Sequence, residues 1–237
     1  MKINKSLSLL AAALASTSLL QAADITGKIT LKGTPPPEKE MFALSDPNCG
    51  KLHTTAPKTR FYVVDSSGGL ADVFVYLKDA KGTGSVPSDS VILDQVGCEY
   101  TPYVFGIQTK QKLVVKNSDP VLHNVHITPS PSSGNKESNQ AQIAKGPDII
   151  KAFDNPEVLL RFKCDVHPWM FAYAGVLEHP YFAVTGKDGS FKIANVPPGK
   201  YTLVAYHRKT HAASPPVTQE VTVGGENVKT DLTVELK

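Results

Sequence analysis

"YFAVTGKDGSFKIANVPPGKYTLVAYH", residues 181–207, decides the fold class. Short β-branched and aromatic runs are cut by Lys-Asp-Gly-Ser and Pro-Pro-Gly, so turn chemistry recurs about every ten residues. The stretch reads as two strands about a Lys187–Ser190 hairpin turn, then a third strand after the prolines. Downstream, "TQEVTVGGENVKTDLTVELK" (218–237) reads as a strand pair around Gly-Gly-Glu-Asn. Upstream, "DITGKITLKG" (24–33) alternates cleanly, and "RFYVVD" (60–65), "ADVFVYLKD" (71–79), "VILDQ" (91–95), "QKLVVKNSD" (111–119), "HNVHI" (123–127) and "EVLLRFKC" (157–164) all read as strands. "TPSPSSGNKESNQAQ" (128–142) has nothing to bury and reads as a surface loop. Long amphipathic helical patterns are absent. The fold class is all-β, built as sandwiches.

The N-terminus predicts the compartment. Lys2 and Lys5 precede the apolar run "LSLLAAALASTSLL", and "QAAD" offers small residues for cleavage near Ala22 or Ala23. That is a secretory leader over residues 1–23, with the rest exported, most simply to a bacterial periplasm. No later run approaches the length of a membrane span. The leader holds two of the 25 basic residues and none of the 22 acidic ones, so the exported chain is nearly neutral. A nucleic-acid partner has no support from charge.

The C-terminal strands resemble the carboxypeptidase regulatory-like (transthyretin-like) β-sandwich family. That family opens with strands of the form "ITGKIT" and "ADVFVYLKD", which stand here at 25–30 and 71–79. The resemblance implies one small sandwich split into 24–88 and 181–237, with residues 89–180 inserted between its halves. Two domains in simple tandem is the competing arrangement.

Three cysteines remain for an oxidising compartment: Cys49, Cys98 and Cys164. An odd cysteine asks for a reason. Pairing Cys49 with Cys98 leaves Cys164 free, and that bridge would contribute roughly 4 kcal/mol on a chain-entropy estimate. The alternative is buried free thiols.

Cys164 stands in "RFKCDVHPWMFAY" (161–173), with His167 and Met170 close behind, and "LHNVH" places His123 at a strand start. Two imidazoles, a thiolate and a thioether are the donor set of a mononuclear blue copper site. Zinc would accept the Cys and His residues but rarely takes a thioether. Residues from about Val91 to Glu178 resemble a cupredoxin, closest to the amicyanin subgroup in the order Cys164, His167, Pro168, Met170. The resemblance implies one type 1 copper held by His123, Cys164, His167 and Met170. It also implies that Asn124 braces the ligand loop and sends its backbone N–H to the sulfur. Val166 departs from the proline common before the second His, and "FAYAGVLEH" is longer than the usual link after Met170. A binuclear centre would need a second loop cysteine.

The other histidines are read as non-ligands. A strand turns His126 away from His123, while His179, His207 and His211 read as solvated surface. Trp169 either packs beneath the loop or joins an apolar docking patch around His167. No nucleophile–base pair, carboxylate pair or phosphate loop points to an enzyme. The expected function is a periplasmic carrier of single electrons, exchanging them through the His167 edge with a cytochrome or a dehydrogenase. Copper storage or delivery is the alternative, against which the scarcity of methionine speaks. A cell-envelope binding module on the same scaffold would have lacked ligands.

Overall fold

The computed structural model describes residues 21–41, 46–82, 84–209 and 215–236. Residues 1–20 of the expected leader and His211 lie outside the described residues. The chain runs β1 (Ala23–Lys32), a one-turn helix α1 (Pro47–Gly50), β2 (Phe74–Leu77), β3 (Val91–Gln95), β4 (Tyr100–Thr101), β5 (Val104–Gln108) and β6 (Leu113–Asn117). It continues through β7 (His123–Thr128), β8 (Ser138–Gln142), β9 (Ile149–Lys151), β10 (Glu157–Lys163) and β11 (Phe171–Leu177). The last strands are β12 (Phe182–Val184), β13 (Ser190–Val196), β14 (Gly199–Tyr206), β15 (Val217–Val223), β16 (Val228–Lys229) and β17 (Leu232–Glu235).

Strand pairing sorts these into two sandwiches. In one, β13-β1-β16, with β17 also on β1, faces β12-β2-β14-β15. Their inward residues, among them Ile25, Ile29, Val75, Ile193, Leu203 and Val221, form a single buried cluster. In the other, β5-β11-β10-β7-β8 faces β4-β3-β6-β9 over Leu93, Ile107, Val115, Val125, Leu160 and Phe162. The first sandwich is thus made of β1, β2 and β12–β17, and the chain leaves it after β2 and returns at β12. Strand pairing places the N-terminal β1 beside β13, β16 and β17 from the C-terminal part of the chain.

β2 explains how the two are joined. Its run Phe-Val-Tyr-Leu is apolar on both faces, as a strand covered on both sides should be. Val75 and Leu77 enter the first core, whereas Phe74 and Tyr76 turn towards Val104, Tyr173 and Leu177 of the second sandwich. Two glycines make room there. Gly106 and Gly175 are cross-strand partners on β5 and β11. A Cβ on Gly175 would stand 2.0 Å from the Phe74 ring, and one on Gly106 would stand 2.1 Å from Phe182. Phe74 is fully buried and has no space to yield. Gly175→Ala is therefore expected to destabilise by about 1–3 kcal/mol in a denaturant melt, as overpacking does. An unchanged midpoint would show that the joint between the sandwiches is loose.

Several local expectations give way. The Lys187–Ser190 turn is tight, with the Gly186 N–H on Ser190 O, but it is not a hairpin. β12 pairs with β2 and β13 with β1, so the turn carries the chain from one sheet to the other. The Gly-Gly-Glu-Asn turn does the same between β15, on β14, and β16, on β1. Turn residues fix the reversal, and burial of both flanking strands in one core fixes which sheet each joins. "RFYVVD" forms no strand. Val64 makes an isolated bridge to Leu70, and Arg60 binds the Asp72 carboxylate with two nitrogens. The polar stretch 128–142 is not all loop. Its end forms β8, an edge strand on β7 that buries Gln142 against Gln95 and the carbonyl of Val115.

Candidate metal centre

The site lies at one pole of the second sandwich, where β7 begins and β10 ends. The turn before β7 is pinned by Asn117, whose amide donates to the carbonyls of Val121, Gln142 and Ile143. His123 follows, fully buried. After β10 the chain closes tightly. The Met170 N–H donates to His167 O at 2.9 Å, and the Cys164 N–H donates to Met170 O at 3.2 Å. That loop brings residues 164, 167 and 170 together, each no more than 2% exposed.

The ligand atoms of His123, Cys164 and His167 lie within 4.8 Å of one another. His123 Nδ1 faces His167 Nδ1 at 2.9 Å, and Cys164 Sγ is 3.8 Å from the latter. Met170 is buried in the same cluster as Cys164. Asn124 braces the loop with both ends of its residue. Its backbone N–H points to Cys164 Sγ at 3.5 Å, and its Oδ1 accepts from the Asp165 and Val166 N–H groups. Its Nδ2 donates to Asn139 Oδ1 and Asp165 Oδ2. Pro168 stands exposed at the outer turn. Trp169 packs by donating from Nε1 to Cys98 O, with its ring 5.1 Å from that of His167.

Two carboxylates fix the imidazoles from behind. His123 Nε2 lies 2.9 Å from Asp119 Oδ2, and His167 Nε2 lies 3.3 Å from Asp46 Oδ2. With each carboxylate accepting from an Nε2–H, both Nδ1 atoms are left as lone-pair donors. Two lone pairs aimed at each other across 2.9 Å repel unless a cation sits between them. A proton can fill that place, and so can a metal. With the Cys164 sulfur alongside, the residues fit a thiophilic metal ion that accepts imidazole, and copper and zinc both qualify.

The electrostatics agree with a ligand set. Burial pushes the Cys164 thiol up, but His123 and the N–H groups of Asn124, His167 and Val166 outweigh it and hold the thiol below its ordinary range. Burial likewise opposes protonation of His123, yet Asp119 and Cys164 win and raise it. His167 goes the other way, because burial outweighs the help of Asp46.

Asp46 and Asp119 were not evident as site residues from the donor spacing. The signal was nevertheless present, since the tripeptide Ser-Asp-Pro occurs at 45–47 and again at 118–120. Asp46 caps α1 by accepting from the Asn48 N–H, and α1 carries Cys49. Cys49 is bonded to Cys98, and the Cys98 N–H donates to Asp119. Both carboxylates are therefore linked through one disulfide. The sulfurs of Cys49 and Cys98 also lie within 4.8 Å of a His167 nitrogen, but as a disulfide they offer no thiolate.

Other expectations need correction. The His167 edge, expected to face a partner, is covered: His167 is 2% exposed beneath Asp46. His179 and His207 are buried rather than solvated. His179 stacks on Tyr181 and accepts from its N–H, while His207 stacks on Tyr62. Burial, helped by Arg208 and Lys209, pushes His207 down to about 4, so it is neutral and packs as an aromatic ring. His126 is outside the centre, held by Asp165 and Glu137.

Residues 179–235 match the family described as BOS complex subunit NOMO1-like, second beta sandwich domain. No curated protein sequence matches the chain. Among solved structures, the chain is similar to the Cu-containing nitrite reductase NirK from Thermus scotoductus SA-01, at 19% identity and TM-score 0.34. That match covers 41% of this chain and 24% of the reductase, so about a quarter of that enzyme's length is spanned. Amicyanin from Paracoccus versutus is 15% identical over 43% of this chain and 96% of its own, with TM-score 0.33. A purple cupredoxin from Nitrosopumilus maritimus is 18% identical over 36% of this chain and 98% of its own, with TM-score 0.30.

Proposed function

We propose that the chain is a periplasmic type 1 copper protein that carries single electrons between redox partners such as a cytochrome or a dehydrogenase. One observation carries the reading. His123 and His167 are each fixed by a carboxylate so that two Nδ1 lone pairs converge beside the Cys164 sulfur. His123, Cys164, His167 and Met170 would hold the ion. Bound copper would supply one-electron exchange between Cu(II) and Cu(I).

The chain's own residues supply the rest. Asn124, with hydrogen bonds to both sides of the Cys164 loop, keeps the donors in one arrangement whichever charge the site holds. Asp119 and Asp46 keep protons on the Nε2 atoms and off the donor nitrogens. Burial of all four residues excludes water. A rigid, dry, preorganised donor set suits electron exchange better than release of the ion.

Cyclic voltammetry of the copper-loaded protein in the presence of a Cu(I) chelator tests this against copper delivery. The proposal expects one reversible wave that persists over many cycles. Transfer of the metal to the chelator on reduction would favour delivery and sink the electron-carrier reading.

A further inference from the structure

A cavity of about 490 Å³ lies beside the metal loop, lined by Phe61, Glu99, Tyr103, Trp169, Met170 and Arg208 among others. Its volume falls within the range of small-molecule sites, and aromatic side chains form part of its wall. The wall carries Lys39, Glu40, Arg60, Glu99 and Arg208. Arg60 binds Asp72 through two nitrogens, which satisfies that carboxylate. Arg208, whose guanidinium stacks 5.0 Å over Phe61 and 5.1 Å over Tyr173, makes no ion pair with a carboxylate among the described residues. Among the described residues it donates to the Tyr173 hydroxyl, and its buried Nε has no partner there. A guanidinium held by aromatic rings and one hydroxyl, with its Nε unpartnered, has donors left for an oxyanion.

We propose that this cavity binds a planar aromatic carboxylate, with the ring stacked among Phe61, Tyr103 and Trp169 and the carboxylate on Arg208. The flat wall suits a planar ring, because stacked aromatics gain from each face they cover. The planar fork of Arg208 matches a carboxylate with two parallel donors. Glu99, on the same wall, supplies an acceptor for a ring hydroxyl. The site does not depend on the metal, although Met170 belongs to both.

Calorimetric titration of the metal-free protein with 4-hydroxybenzoate and with its neutral isostere, 4-hydroxybenzamide, tests it. Trp169 is the chain's single tryptophan, so its fluorescence reports occupancy of this wall directly. The carboxylate is expected to bind at least about tenfold more tightly than the amide and to change the Trp169 emission. Arg208→Gln should abolish that preference while the amide affinity stays as it was. Equal affinities in the wild type, or no saturable binding of either compound, would overturn the proposal even if the variant fails to fold. A folded Arg208→Gln protein that still prefers the carboxylate would overturn it too.

Discussion

Asp119→Ala is expected to destabilise the metal-free protein by about 3–5 kcal/mol, the scale for breaking a buried, hydrogen-bonded charge. Asp119 is 3% exposed. Its Oδ1 accepts from the Gly97 N–H at 2.7 Å, and its Oδ2 accepts from the Cys98 N–H at 2.7 Å and from His123 Nε2 at 2.9 Å. Alanine leaves all three donors without this partner, and those of Cys98 and His123 are buried. The wild-type protein should also show a distinctive acid response. Burial pushes the Asp119 carboxyl up, but the bonds from His123, Cys98 and Gly97 outweigh it, so its pKa is lowered in the fold. A lowered folded value gives stability that is complete above the unfolded value, about 4, and is lost as pH falls through the folded one. Urea melts across acidic pH should therefore show a steeper loss for wild type than for Asp119→Ala. Parallel curves would mean that the carboxylate is not coupled to folding.

Removing the Cys49–Cys98 bridge with a double alanine variant should cost about 4 kcal/mol, by the loop-closure estimate for residues 49 positions apart. The consequence for the site is more specific. α1 spans only Pro47–Gly50, too short to hold itself, and the bridge keeps it over His167. Without the bridge, Asp46 leaves His167 Nε2 and the imidazole edge opens to solvent. The variant should exchange its bound metal for free metal at least about tenfold faster than wild type, a difference of the order of one lost charge-assisted hydrogen bond. Unchanged exchange, with the stability loss present, would show that α1 is a staple and not a cover.

The all-β class was legible because turn residues and β-branched runs alternate along the whole chain. The proximity of residues 164 and 167 was legible in one short loop, where local spacing constrains the backbone. Bringing His123 to them rested on two strand ends sharing one pole of a sandwich and on the family resemblance. Partnership between strands was not legible. A Lys-Asp-Gly-Ser turn looks the same whether it joins neighbours in a sheet or crosses between sheets, since both reversals need the same φ at glycine. The choice is made by β1 and β2, more than a hundred residues away. Burial of His179 and His207 was hidden for a similar reason. Each becomes interior through an aromatic neighbour, Tyr181 and Tyr62, and only the second of these is distant in sequence. For His179 the local tyrosine was a usable signal. The Ser-Asp-Pro pair was another. Each copy ends near a cysteine or a histidine of the site, and together they place a carboxylate behind each imidazole.

The central claim is that the converging donors make a redox-active copper site. The most direct measurement is visible absorption of the metal-free protein during titration with Cu(II), beside a Cys164→Ser control. The account predicts an intense thiolate-to-copper band that saturates at a single equivalent, bleaches with ascorbate and is missing from the control. A folded wild-type protein with its Cys164 thiol intact and no such band would contradict it.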